Sequence, residues 1–138
     1  MANENYPRPA DDADSREFWE FCRLHELRLQ RCTACGLHRH HPRPRCPNCQ
    51  SANFEWAQCS GSGHVHSFTI CYPPVLSAFE DRTPYNVVVI ELAEGPFMVS
   101  NFVDIDNDEL RIGLAVEVCF TDIDDDFAIP QFRLAQKP

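Results

Sequence analysis

The sequence lacks any apolar run long enough to cross a bilayer, and its first 15 residues are polar and acidic. A membrane-spanning helix needs about 20 apolar residues, and a secretory signal needs an apolar segment of about 7–15 residues. We therefore expect a protein that makes no membrane contact and works in the reducing cytoplasm. A chain of 138 residues is long enough for one ordinary domain and a small appendage.

Basic residues are also scarce, because 12 Lys and Arg face 21 Asp and Glu and the net charge is -9. Neutralising phosphates with Lys and Arg supplies most non-specific affinity for nucleic acid. The charge therefore disfavours a nucleic-acid partner.

The chain also lacks a recognisable catalytic constellation. Ser60 and Ser62 flank Gly61, but no Gly-x-Ser-x-Gly elbow is present and no Cys–His spacing indicates a nucleophile with its base. We predict that the chain is catalytically inert by itself.

Cysteine, in contrast, is plentiful, and four of the eight residues form a C-x2-C-x10-C-x2-C array. Each Cys-x-x-Cys turn folds back on itself, so that two sulfurs and several backbone N–H groups point to one side. Two such knuckles present four sulfurs to one metal ion. The predicted ligands are Cys32, Cys35, Cys46 and Cys49.

Soft thiolates in a tetrahedron select zinc or iron. Four protein ligands leave no open position for water or substrate, so the site is predicted to be structural and to hold one zinc ion. An iron centre of the rubredoxin type would use the same four ligands, and the spacing alone leaves it open. The other cysteines have no paired spacing and are interpreted as reduced thiols of the core: Cys22, Cys59, Cys71 and Cys119.

A short helix is predicted over residues 16–26, with Ser15 as its N-cap. Phe18, Trp19 and Phe21 give this helix a bulky aromatic face. The face either packs on its own domain or contacts a partner or an acyl chain, since exposed aromatic clusters mark contact surfaces.

After the cysteine-rich segment the pattern changes to strands rich in Val, Ile, Phe and Thr. Alternation within them indicates a small barrel with one packed face. Five strands, the number in an OB barrel, are predicted at 63–72, 85–92, 97–103, 115–121 and 127–134. One helical turn is expected at 108–110, between the third and fourth of them.

The loop between the two cysteine pairs carries the one basic patch of the sequence. It comprises His38, Arg39, His40, His41, Arg43 and Arg45. We interpret these residues as surface groups, able to hold a phosphate or an acidic partner surface or simply to keep the loop soluble.

In combination, these motifs resemble the zinc-ribbon and OB-fold proteins of domain-of-unknown-function family 35. The resemblance covers nearly the whole chain, and these segments carry it: Phe18-Trp19, 27–36, 42–49, Glu55-Trp56, 61–63, 67–69, Pro84-Tyr85 and 111–113. The resemblance implies a mainly β fold: residues 1–15 a flexible lead-in, 16–30 an N-terminal helix and strand, 31–57 a rubredoxin-like zinc ribbon, and 58–138 an OB-fold.

The resemblance also implies a function. Family members are accessory subunits of thiolase-like and hydratase-like enzymes that handle acyl-CoA. On that basis the four cysteines hold zinc, Arg43 and Arg45 are candidates for CoA phosphates, and Phe18, Trp19 and Phe21 contact an acyl chain or the partner. The sequence departs from the family pattern at His40-His41 and at Gln50, which stands where Gly commonly follows the last cysteine.

We therefore expect a non-catalytic subunit that binds a thiolase-like acyl-CoA C-acyltransferase and helps form or shield its acyl-CoA site. Two alternatives remain: a nucleic-acid-binding module, because OB barrels and zinc ribbons both occur in such proteins, and an electron carrier with iron in the four-thiolate site.

Overall fold

The computed structural model describes residues 6–136, which form one α-helix, eight strands and two short 3-10 segments. The helix is α1 (Arg16–Arg23), and the strands are β1 (Arg28–Cys32), β2 (His38–Arg39), β3 (Phe54–Gln58), β4 (Ser62–Cys71), β5 (Tyr85–Leu92), β6 (Phe97–Ser100), β7 (Ala115–Asp124) and β8 (Phe127–Leu134). The 3-10 segments are Ser77–Arg82 and Asn107–Glu109. Residues 1–5 of the predicted lead-in and 137–138 of the predicted OB-fold lie outside the described residues.

Helix α1 ends at Arg23, three residues before its predicted end. The N–H of Glu26 donates to the carbonyl of Phe21, the N–H of His25 donates to that of Cys22, and His25 has φ +61°. These are the bonds and the left-handed residue of a Schellman motif, which stops the helix. At the other end Ser15 holds the N-cap position, but its hydroxyl donates to Asp12 and does not cap the helix.

The cysteine-rich segment is organised by a small antiparallel sheet with the order β2-β1-β3. In this sheet Arg31 lies opposite Glu55, and their side chains form an ion pair at 3.1 Å. Cys32 is the last residue of β1, so the sheet places the first thiol directly at the end of a strand.

The remaining strands form a five-stranded antiparallel sheet with the order β6-β5-β4-β7-β8. The sheet curls so that its two outer strands approach each other, and Phe102, just after β6, forms a parallel bridge with Phe132 of β8. This is an OB half-barrel, and it confirms the predicted fold class. Strand β6 ends at Ser100 because the chain then leaves β5 to reach β8.

Two glycines allow β4 to lie at the centre of this sheet. A Cβ on Gly61, which has φ +79°, would lie 2.3 Å from Cγ1 of Val118 in β7. A Cβ on Gly63 would lie 2.5 Å from the carbonyl oxygen of Glu91 in β5. The close approach of three strands therefore requires glycine at the start of β4.

One hydrophobic core joins the helix, the ribbon and the barrel. Phe18 and Cys22 of α1 and Leu27 and Leu29 of the β1 region are buried together with the inner side chains of the barrel, including Phe132. The ribbon is thus fixed to the barrel by shared apolar packing. Among residues 6–136, no helix has the length and apolar character needed to span a bilayer.

Candidate metal centre and adjacent cleft

The structure brings the thiols of Cys32, Cys35, Cys46 and Cys49 together, with all four sulfur atoms within 4.8 Å of one another. The Sγ atoms of Cys32 and Cys49 are 3.5 Å apart, and those of Cys35 and Cys46 are 3.6 Å apart. A tetrahedral zinc with bonds of about 2.3 Å to sulfur requires sulfur–sulfur distances of about 3.8 Å. A disulfide would need about 2.05 Å. The donor set therefore fits one metal ion.

The two knuckles repeat the same backbone geometry. The N–H of Gly36 donates to the carbonyl of Cys32 at 2.8 Å, and the N–H of Gln50 donates to that of Cys46 at 3.0 Å. Gly36 has φ +80° and Gln50 has φ +69°. The second knuckle thus requires a left-handed residue where the sequence supplies glutamine, which has a Cβ that disfavours this conformation.

Backbone N–H groups also favour the thiolate forms that bind metal. The N–H of Cys35 donates to Sγ of Cys32 at 3.5 Å and, together with the neighbouring donors, lowers the pKa of Cys32 to about 6. The N–H groups of Cys49 and Asn48 lower the pKa of Cys46 in the same way. Hydrogen bonds within the cluster raise the pKa of Cys49 to about 11, because crowded sulfur atoms share protons when no cation is present. Metal ligation requires deprotonated cysteine, so the turns prepare Cys32 and Cys46 for a cation, and the cation itself would deprotonate Cys49.

The cysteines outside this cluster have a different environment. Cys22 and Cys59 are buried, and loss of solvent raises the pKa of Cys22 to about 12 and that of Cys59 to about 11. They are neutral thiols inside the core. Cys71 and Cys119 are half-buried.

The prediction that the basic residues of the loop are surface groups is wrong for Arg39 and His40. Arg39 is 2% exposed: its guanidinium donates to Oε1 of Gln30 at 2.9 Å and lies over the ring of Phe54. His40 lies against the ring of Phe18, and its burial lowers its pKa to about 4. Arg39 thus joins parts of the ribbon to one another, whereas His40 holds the ribbon against the helix, and polarity alone could not indicate either role.

Arg43 and Arg45 remain on the exposed side of the ribbon. Nε of Arg43 donates to the carbonyl of His41 at 3.3 Å, and Nη1 of Arg45 donates to that of Gln50 at 3.0 Å. Since a guanidinium has five N–H donors, each arginine keeps donors free for an anion. Their assignment to CoA phosphates stays a prediction.

The three aromatic residues of α1 take three different positions. Phe18 is 2% exposed and belongs to the core. Trp19 is half-buried and packs on Phe18 and Phe127, whereas Phe21 packs on Trp56 and lies beneath the guanidinium of Arg28. Most of the aromatic face is thus used within the chain, and its contact with an acyl chain or partner stays a prediction.

A cleft of about 470 Å³ opens where α1, the ribbon and the barrel meet. It is lined by Phe18, Trp19, His40, His41, Phe97, Met98, Val99, Ser100, Asn101, Ile129 and Pro130. The sequence motifs pointed to Phe18 and Trp19 but not to the barrel residues. The one available signal was the pair of large apolar residues, Phe97 and Val99, at alternate positions of a short strand.

Comparison with known proteins agrees with this architecture. Residues 19–55 match the family described as the ChsH2 rubredoxin-like zinc ribbon domain, and residues 56–121 match the ChsH2 C-terminal OB-fold domain. A DUF35 domain-containing scaffold protein of Methanothermobacter thermautotrophicus is 35% identical over 97 residues, which are 70% of this chain and 72% of that protein.

Two further proteins are similar over almost the entire chain. A probable enoyl-CoA hydratase alpha subunit of Thermomonospora curvata is 37% identical over 94% of this chain, and the chain spans 40% of that subunit's length. A solved chain described as Ltp2-ChsH2(DUF35) aldolase has a TM-score of 0.84 and 36% identity, covering 92% of this chain and 98% of the solved one. The chain belongs to the ChsH2 (DUF35) family of proteins built from a zinc ribbon and an OB-fold domain.

Proposed function

We propose that this chain is a non-catalytic accessory subunit that binds a thiolase-like acyl-CoA C-acyltransferase and helps form or shield its acyl-CoA site. The observation that carries the proposal is the mostly apolar cleft beside a four-thiol metal site in a chain similar to scaffold proteins and to part of a hydratase alpha subunit. A hydratase-like partner fits the same reasoning.

The described residues provide structure rather than chemistry. Four thiolates complete a tetrahedral shell, so a bound zinc would have no open position for water or substrate. Within residues 6–136, no histidine side chain is hydrogen-bonded to a serine hydroxyl or a cysteine thiol; His25 bonds Asp122 and His64 pairs with Glu91. The nucleophile is therefore assigned to the partner.

Zinc is the metal we propose for the site. When bound, it closes the two knuckles into one rigid unit beside the cleft, with Cys32, Cys35, Cys46 and Cys49 as ligands. Iron in the same site would support the electron-carrier alternative instead. Metal analysis and the visible absorption spectrum of the purified protein distinguish these two metals.

The surfaces proposed for acyl-CoA and for the partner lie on the ribbon and beside the helix. Arg43 and Arg45 present free guanidinium donors to CoA phosphates, and the indole of Trp19 lines the cleft. Phe18 and Phe21 act through the packing that holds this tryptophan and the ribbon in place.

The first test is purification of the affinity-tagged chain from its native cells, with mass spectrometry of the co-purifying proteins and metal analysis of the same sample. A thiolase-like or hydratase-like protein at a fixed ratio and one zinc per chain are expected. Recovery of the chain alone, or with RNA-associated proteins, contradicts the proposal.

The second test addresses the CoA phosphates in that complex. The double variant Arg43→Ala/Arg45→Ala should raise KM for acyl-CoA at least threefold and leave the amount of complex unchanged. Arg111→Ala is the matched control, because Arg111 is an exposed arginine in the loop before β7. Equal KM values for the double variant and this control would remove both arginines from the CoA site.

A further inference from the structure

The barrel is open at one place because of a proline. Next to the parallel bridge, the N–H of Phe132 donates to the carbonyl of Asn101, and the N–H of Val103 donates to that of Phe132. Two residues earlier in β8, an N–H that donates to the carbonyl of Val99 would continue this ladder. That position is Pro130, which has no backbone N–H. Instead, the hydroxyl of Ser100 donates to the carbonyl of Pro130 at 2.7 Å. Pairing between β6 and β8 therefore stops at Asn101.

Backbone groups of β6 form hydrogen bonds with β5 only at alternate residues, which shows which groups of β6 have no partner in the sheet. The N–H of Leu92 donates to the carbonyl of Pro96. Backbone groups therefore point toward β5 at residue 96 and at every second residue after it, Met98 and Ser100. The backbone N–H and C=O groups of Phe97 and Val99 therefore point away from β5, to the outer edge of the sheet. Among residues 6–136, no backbone hydrogen bond outside the sheet ladders engages Phe97 or Val99.

This outer edge borders the cleft. Five consecutive residues, 97–101, line it, which occurs when a strand presents its edge rather than one face. The side chains of Phe97 and Val99 are 47% and 69% exposed. The other walls combine the apolar side chains of Phe18, Trp19, Ile129 and Pro130 with the imidazoles of His40 and His41, and the lining includes no Asp, Glu, Lys or Arg.

We propose that the open edge of β6 binds one extended segment of the partner subunit, which adds to the sheet as a further strand. An unpaired strand edge recognises a peptide backbone through N–H and C=O groups at every second residue, and an adjacent pocket selects alternate side chains. The mostly apolar lining, which contains no carboxylate, lysine or arginine, assigns an apolar side chain to the position that enters the cleft. The identity of the partner rests on the proposed function.

A second copy of this chain is a less suitable occupant, because each copy carries a net charge of -9 and association brings like charges together. The partner segment also reaches the same cleft as Trp19, so that one contact would place the thiolase-like subunit beside the helix and the ribbon.

The test uses the complex recovered with the tagged chain and two substitutions at one position. Val99→Pro removes the outward N–H and leaves the bonds to β5 intact, which an edge strand tolerates. Val99→Thr is the matched control, since it keeps the N–H and a β-branched shape. We expect Val99→Pro to weaken the complex at least tenfold, and Val99→Thr to change its Kd by less than threefold. Zinc content and circular dichroism show that both variants are folded.

Amide hydrogen exchange of the chain provides the second readout. In the free chain the amides of Phe97 and Val99 should exchange quickly and those of Met98 and Ser100 slowly, and in the complex all four should exchange slowly. Protection of Phe97 and Val99 in the free chain, whether or not it depends on concentration, would overturn the proposal. So would a complex in which these two amides stay unprotected or Val99→Pro binds normally, although the proposed function would then stand. Failure to recover any thiolase-like or hydratase-like complex would reject both.

Discussion

The zinc ribbon and the OB barrel of this chain are stabilised in different ways. The ribbon has a three-stranded sheet in which β2 is two residues long, and its sulfur cluster joins turns that are close in sequence. The barrel joins five strands through long-range pairing around buried side chains such as Val88, Ile90 and Phe132. We therefore expect the ribbon to depend mainly on a bound metal and the barrel mainly on apolar packing.

The strongest test of this difference between ribbon and barrel is removal of Cys46, one of the four predicted metal ligands. Structural zinc sites in small peptides contribute about 10–16 kcal/mol at pH 7, so Cys46→Ser should unfold the ribbon and leave the barrel folded. Residue-resolved amide exchange would show loss of protection in β1–β3 and retention in β4, β5 and β7. Cys71→Ser, at a half-buried thiol outside the cluster, is the control and should keep one zinc per chain. Loss of protection throughout the variant would show that the barrel also needs the metal.

The barrel is tested by adding one methyl group at Gly61. Gly61→Ala places a Cβ 2.3 Å from Cγ1 of Val118 at a position with φ +79°. Overpacking and the unfavourable backbone conformation should together lower the free energy of unfolding by about 2–4 kcal/mol, measured by urea denaturation of the zinc-loaded protein.

Gly113→Ala is the matched control for this substitution. Gly113 has φ +96°, but nothing lies within 4 Å of the position of an added Cβ. Its loss should be about 1 kcal/mol, from the backbone conformation alone. Equal losses at the two glycines would contradict the packing argument.

Acid should weaken the junction between the two regions through His40. Burial, with smaller effects of the charges on His41 and Arg43, lowers the pKa of His40 to about 4 from its ordinary value of 6.5. The unfolded chain therefore binds the proton more readily, and the stabilisation is complete above pH 6.5 and falls as the pH drops toward 4. The full effect is about 3 kcal/mol.

The measurement is the free energy of unfolding of the wild type and of His40→Gln between pH 4 and 7. Loss of zinc in acid affects both proteins, so the difference between the two curves isolates His40. The free energy of unfolding of the wild type minus that of His40→Gln should decrease as the pH falls, because only the wild type loses the contribution of His40. Parallel curves would show that His40 titrates normally.

The smallest effect is expected at Gln50, where the ribbon holds a left-handed conformation. Gln50→Gly should stabilise the zinc-loaded protein by about 1 kcal/mol, because glycine adopts φ +69° without strain. Gln58→Gly is the control: Gln58 is an exposed residue of β3, and glycine there should destabilise by about 0.5–1 kcal/mol. Thermal unfolding measures both changes, and a loss of stability in both variants would argue against strain at Gln50.

Local patterns predicted a large part of this fold. The alternation of apolar residues located five barrel strands to within a few residues, and β5 and β8 have the predicted bounds. The cysteine spacing predicted which thiols converge, since each knuckle is a turn of a few residues. The end of α1 was predicted too late because His25 takes a conformation usually left to glycine.

Long-range packing determined the rest of the candidate site. The sequence by itself specified the four converging thiols, the aromatic helix and the number of barrel strands, because these features depend on neighbours close in the chain. The tertiary structure alone decided that Arg39 is buried, that the half-buried His40 packs on Phe18, that Trp19 lines a cleft, and that Pro130 leaves the edge of β6 open. Burial and strand pairing depend on residues tens of positions apart, so they arise only when helix, ribbon and barrel pack on one core.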